Sequence, residues 1–307
     1  MDLYRKSTIV ASSPLSFVLA GDLNMRSGGI CVAQKTPLRI TVGLELNEQD
    51  DQITVATHSI FNHEKNAFEK HPLEQLSRTQ HSQQQQLQEY ILHLYPALEK
   101  KGIRIHIISE CLEQKGLGTS AGFGNALAFA LARANHQSLD IKSIDTLSEK
   151  TTSLFKQAIK LACLSKNIII SPPQVASSFL STSFPVLFLQ DSFIDFFSHP
   201  FFSTGDWRDL SFYDSLSMNA VPLDQFFHPS QRTTRMAFDI SIIDSHIPTD
   251  ALQTIQRLKA LNQEMIKTIE QVASTSRNNE ETHRIIKTHI NFFRENPWRI
   301  YSSQTTF

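Results

Sequence analysis

The residues best suited to chemistry lie in one short run, Lys115-Gly116-Leu117-Gly118-Thr119-Ser120-Ala121-Gly122. Gly116 and Gly118 lack a Cβ, so the backbone can bend sharply there and approach a ligand closely. A long helical pattern follows. The unpaired N–H groups of its first turn, Thr119 to Gly122, together with the positive end of the helix dipole, suit phosphate oxygens. Thr119 and Ser120 add hydroxyls that can bind phosphate or an Mg2+-bound water. The run is neither the G-x-x-x-x-G-K-[ST] phosphate loop nor the G-x-G-x-x-G opening of a dinucleotide fold. It also suits an ordinary strand-to-helix connection with Thr119 as N-cap.

The surrounding pattern mixes strands and helices, so the expected class is α/β. Residues 8–20 read as strand, turn, strand, and residues 29–46 as a second pair after the Gly28-Gly29 turn. Alternating runs at 52–60 and 103–108 predict two more strands, the second with one face apolar and one polar. Helical spacing appears over 72–98, 119–135 and 143–164, the last with Ser143 as a cap. Short strands are expected at 167–170 and within 185–197, the second with a tight return. A loop-rich stretch, 198–234, marks a seam. Beyond it, 235–244 reads as a strand, and 249–273 and 279–296 as amphipathic helices. The expected division is one lobe over 1–200 and a second over 201–307.

Composition narrows the class. With 307 residues, 40% apolar and 19% charged, the chain has the balance of a globular protein with a sizeable core. A formal net charge of -1 gives no bulk attraction to nucleic acid or anionic membrane. No apolar run is long enough to span a bilayer, and Met1 to Lys6 does not open a signal peptide. Three well-separated cysteines, Cys31, Cys111 and Cys163, suggest reduced thiols in a cytoplasmic protein. Twelve scattered histidines form no zinc-binding pair, and no G-x-S-x-G elbow points to a hydrolase. Many of the 21 phenylalanines fall between 179 and 227 and are read as core, with 193–202 a candidate partner surface.

The run Gly116-Leu117-Gly118-Thr119-Ser120-Ala121 resembles the G-L-G-S-S-A loop of the GHMP kinases, which include galactokinase, homoserine kinase, mevalonate kinase and phosphomevalonate kinase. Other segments agree in order. Ser13-Pro14-Leu15-Ser16-Phe17-Val18-Leu19-Ala20-Gly21-Asp22 is similar to the A-P-G-K-V-x-L-x-G-E start. Gly28-Gly29, Ala33 and Leu38-Arg39-Ile40-Thr41-Val42 resemble the G-G-x-x-x-A-x-x-x-x-L-R-V-x-V stretch. Gln174-Val175-Ala176-Ser177-Ser178 resembles D-V-A-S-A, and Ile242-Ile243-Asp244-Ser245 a later V-D-T-G strand end.

The resemblance implies a two-lobed α+β fold whose N-terminal lobe, 1–200, binds nucleotide and is of the ribosomal protein S5-like type, and whose C-terminal lobe, 201–307, is shortened. It implies ATP and Mg2+ as cofactors, the phosphates and metal being held at Gly116 to Ala121 with Thr119 and Ser120 nearest the metal. The reaction implied is phosphorylation of a hydroxyl or phosphate of a small metabolite. The mevalonate arm of the family, in isoprenoid biosynthesis, is the preferred class, with heptose-type sugar kinases next. A monomer or homodimer is implied, with no nucleic-acid or membrane partner.

Three departures bear on catalysis. The family's N-terminal lysine position holds Ser16, which supplies no cation. Its catalytic aspartate position holds Gln174, which cannot act as a general base. Its C-terminal glycine-rich motif has no counterpart after Gly205. Asp22 stands where the family has an acidic residue, sometimes a magnesium ligand, and also suits a turn. Arg26 and Lys35 are candidates to replace the missing cation. The alternative reading is a catalytically degenerate binding protein on the same scaffold.

Overall fold

The computed structural model describes residues 9–20, 29–47, 52–62, 65–71, 78–98, 102–111, 117–137, 144, 147, 149–170, 172–190 and 199–222. All belong to the first of the two units into which the chain divides, Met1–Ile240 and Ser241–Phe307. The strand and two helices expected beyond 234, and with them Asp244, lie outside the described residues. So do Asp22, Arg26, Gly116 and the 193–198 part of the phenylalanine-rich stretch.

Seven strands form one mixed sheet: β1 (Ile9–Ala20), β2 (Gly29–Asn47), β3 (Ile53–Asn62), β4 (Ala67–His71), β5 (Gly102–Ser109), β6 (Val186–Gln190) and β7 (Met218–Pro222), in the order β4-β3-β5-β2-β6-β7 with β1 paired to β2. Only β3 and β5 run parallel. The class is therefore mixed α/β.

The two pairs of strands expected in residues 8–46 are in fact two long strands. Pro14 has no N–H to donate to a ladder. Instead of ending β1 it produces an irregularity: Pro14 pairs with Arg39, but the next pair is Ser16 with Lys35. Three β2 residues, including Pro37, thus oppose Leu15 alone. The half-polar face expected on β5 is present, with Arg104 exposed and Ile108 partly buried, but it is more covered than alternation alone suggests. Ile103, Ile105 and Ile107 are buried, and so is His106, whose ring nitrogens meet Thr57 Oγ1 at 3.0 Å and Glu45 Oε2 at 3.1 Å.

Four helices of eight residues or more are described: α1 (Arg78–Leu94), α2 (Thr119–Ala134), α3 (Glu149–Lys166) and α4 (Pro172–Phe179). The strand expected at 167–170 is not formed, and Asn167 takes a left-handed φ of 52° after the end of α3. Pro172-Pro173 opens α4, where a first-turn proline loses no helical hydrogen bond. Residues 199–222, expected as loop, hold the short helices α5 (Phe201–Thr204) and α6 (Phe212–Ser215) and the edge strand β7.

α2 sits between the sheet and α3, and its small residues set the spacing. A Cβ on Gly122 would lie 2.7 Å from Ile40 Cγ2, and one on Gly124 would lie 2.3 Å from the Ala158 carbonyl oxygen. Phe129, Phe155, Phe179 and Phe188 form a chain of ring contacts at 5.1 to 6.3 Å through this core. Phe179, Phe188 and Phe201 are buried, as expected for core, whereas Phe184 is exposed.

Candidate functional site

The site is built from the entry to α2 upward. Gly118, not Thr119, is the N-cap, with φ 61° and ψ 37°, and Thr119 is the first helical residue. A left-handed cap favours glycine, and there is no space for a side chain either. A Cβ there would stand 2.7 Å from the Ser16 carbonyl oxygen and 3.0 Å from Ser16 Oγ. The first bond of the helix runs from Gly122 N–H to the Gly118 carbonyl at 2.9 Å. The amides of Thr119, Ser120 and Ala121 therefore have no partner within the helix. Gly118, Thr119 and Ser120 are half-buried, and no side chain caps the end.

The irregularity at Pro14 positions β1 against this turn. Ser16 N–H leaves the ladder and donates to the Leu117 carbonyl at 3.1 Å. Ser16 Oγ donates to the Gln174 carbonyl at 2.8 Å, and Gln174 Nε2 reaches the Ser16 carbonyl at 3.4 Å. Asn125, fully buried on α2, donates through Nδ2 to the Val175 carbonyl at 2.9 Å and holds α4 to the same helix. Three positions singled out from sequence, Ser16, Gly118 and Gln174, are thereby brought together from β1, the α2 cap and α4.

Two features follow for chemistry. The amides of Thr119 and Ser120, in half-buried residues without a cap, suit phosphate oxygens, while the space left by the missing Cβ of Gly118 is taken by Ser16. For a metal, Thr119 and Ser120 supply hydroxyls and Gln174 a neutral amide, while no carboxylate is described at this point. Among the described residues, no group of three or more His, Cys, Asp or Glu side chains is placed to hold a metal ion. Lys35 does not stand in for the missing lysine. Its Nζ donates to the Ser181 carbonyl at 3.0 Å and reaches the Leu180 carbonyl at 3.5 Å, beyond the C-terminus of α4. Burial, and then the charge of Arg39, push its pKa below the ordinary value.

A cavity of about 550 Å3 that no sequence pattern announced lies between α1, α3 and residues 207–214. Lys160 is buried there and meets Asp214 Oδ2 at 2.6 Å, Lys156 Nζ donates to the Asp214 carbonyl at 2.6 Å, and the Trp207 ring lies tilted against His93 at 4.6 Å. Its aromatic and charged residues are far apart in sequence, so no local spacing could have marked it. His93, on α1, is exposed and makes this ring contact.

No protein-family model matches the chain, and no curated protein does. Among solved structures it is similar to a mevalonate kinase from methicillin-resistant Staphylococcus aureus MRSA252, at 15% identity and a TM-score of 0.39, covering 60% of this chain and 53% of that one. It is similar to L. major mevalonate kinase in complex with R-mevalonate at 14% identity and a TM-score of 0.43, covering 61% and 50%. A Streptococcus pneumoniae phosphomevalonate kinase in complex with phosphomevalonate and AMPPNP gives 15% identity and a TM-score of 0.38, covering 59% and 50%. The chain spans about half the length of these structures. No helix among the described residues is long and apolar enough to cross a membrane.

Proposed function

We propose that this chain binds Mg-ATP at the start of α2 and transfers its terminal phosphoryl group to a hydroxyl or phosphate of a small metabolite, as a divergent kinase of GHMP type. One observation supports this reading above the rest: the uncapped amides of Thr119, Ser120 and Ala121 begin at a left-handed glycine packed against Ser16 and Gln174. Those are the positions at which the family resemblance expects a catalytic lysine and aspartate. Phosphoryl transfer depends mainly on positioning and charge stabilisation, so a neutral Gln174 does not by itself exclude turnover. Mevalonate-pathway acceptors are the first substrates to test, followed by heptose-type sugars.

A second reading has its own support. Ser16 and Gln174 are neutral and bonded to each other, which suits a scaffold that binds nucleotide without turnover. One experiment separates the two. Mg-ATP should raise the unfolding temperature of the full chain, because a ligand that binds only the folded state stabilises it by mass action. ADP release with an acceptor, lost in Ser120→Asp, supports the kinase; a thermal shift without ADP release supports the binding scaffold. No shift with any nucleotide removes both.

A further inference from the structure

The sheet forks along one edge of β2. One edge of β2 carries β5 along Ile40–Asn47 and β6 along Gly29–Ala33, leaving residues 34–39 between them without either strand. The β1–β2 irregularity between Pro14 and Ser16 falls at the same place. A cavity of about 430 Å3 opens there, closed from the other side by the end of α4 and the residues after it. Lys35 and Arg39 line it, and none of its described lining residues is acidic. Ser178 also lines it, only 4% exposed and with no hydrogen-bond partner for Oγ. A buried hydroxyl without a partner is a cost that a bound acceptor would remove.

Both cations are held in place. Arg39 Nε donates to Ser12 Oγ at 2.8 Å and Nη2 to the Ser12 carbonyl at 3.0 Å. Lys35 is tied to the carbonyls after α4, as described above. Burial and Arg39 both disfavour its charged form, so an anion between them would relieve the repulsion. The nearby carboxylate of Glu110 accepts the backbone N–H of Arg39 at 2.9 Å. Phe129, Phe179 and Pro37 supply an apolar wall.

We propose that this fork cavity binds a small oxyanion, the phosphate or carboxylate group of a metabolite, between Lys35, Arg39 and Ser178 Oγ. Ser178 stands about one helical turn, or roughly 6 Å, beyond Gln174 on α4, and none of Ser16, Gly118, Thr119, Ser120 or Gln174 lines the cavity. The test is calorimetric titration of the full chain with inorganic phosphate and, separately, with acetate at matched ionic strength. Saturable binding of at least one is expected, weakened about tenfold by Arg39→Gln and measurably by Ser178→Ala, whose small change leaves the fold intact. The anion that binds identifies the group recognised. Ser120→Asp should leave this binding unchanged while abolishing any Mg-ATP thermal shift, so failure here is distinguishable from failure at the α2 start. Absence of saturable binding for both anions, or binding indifferent to Arg39→Gln and Ser178→Ala, overturns the proposal.

Discussion

Ser16 and Gln174 lie 158 positions apart and are joined twice: Ser16 Oγ donates to the Gln174 carbonyl at 2.8 Å, and Gln174 Nε2 returns to the Ser16 carbonyl at 3.4 Å. Ser16 is fully buried, so this polar pair depends on its own bonds for satisfaction. Gln174→Glu keeps the size but removes the donor and sets a carboxylate against a carbonyl oxygen. We expect about 1–2 kcal/mol of lost stability in urea unfolding and, if nucleotide binds at the α2 start as proposed, a smaller nucleotide-induced thermal shift, since the added negative charge would repel its phosphates. Unchanged values for both would mean the contact does not couple β1 to α4.

Gly118→Ala tests the α2 entry. The left-handed backbone and the 2.7 Å approach of the would-be Cβ to the Ser16 carbonyl both oppose a side chain. A loss of about 1–3 kcal/mol is expected, together with loss of nucleotide binding. Equilibrium denaturation and nucleotide titration of the same variant check both parts.

Gly124→Ala probes the seam between α2 and α3. Its Cβ would meet the Ala158 carbonyl at 2.3 Å and Ala162 Cβ at 2.7 Å, neither of which is the end of a flexible side chain. The helices must separate, at a cost of about 1–3 kcal/mol or more, despite alanine's better helix propensity. A variant as stable as the wild type would show that the seam yields without penalty.

Alkaline pH should destabilise the fold. Burial raises the Cys163 thiol from 9.0 to about 12, and burial raises the Tyr95 phenol from 10.0 to about 12. Between those limits the folded chain keeps protons that the unfolded chain has lost. Stability from these groups is complete below about pH 9 and falls as pH rises toward about 12. Buried Tyr90 and Tyr213, both also raised, act in the same direction. Urea midpoints measured from about pH 8 to pH 11 should fall, and Cys163→Ala should show a shallower decline even from a lower start.

The entry to α2 was legible because its signals are local. Glycines at 116 and 118, hydroxyls at 119 and 120 and an alanine-rich helical period sit within a few residues, and the helix runs over Thr119–Ala134 against the expected 119–135. β5 was equally clear in position, though its burial was not, because alternation cannot show that His106 finds Thr57 and Glu45. α4 was missed because a double proline reads as a break unless its place at the helix start is known.

What the chain determines by itself is therefore the order of its segments and the chemistry of one turn. Tertiary structure decided the rest. It joined the halves of β1 and β2 across Pro14 and Pro37, set Ser16 and Gln174 against Gly118, and left a forked sheet edge beside Lys35 and Arg39. Periodicity reports only which face of one element is apolar. Which faces and edges then meet depends on hydrogen bonds and packing between residues more than a hundred positions apart, and no local pattern records those.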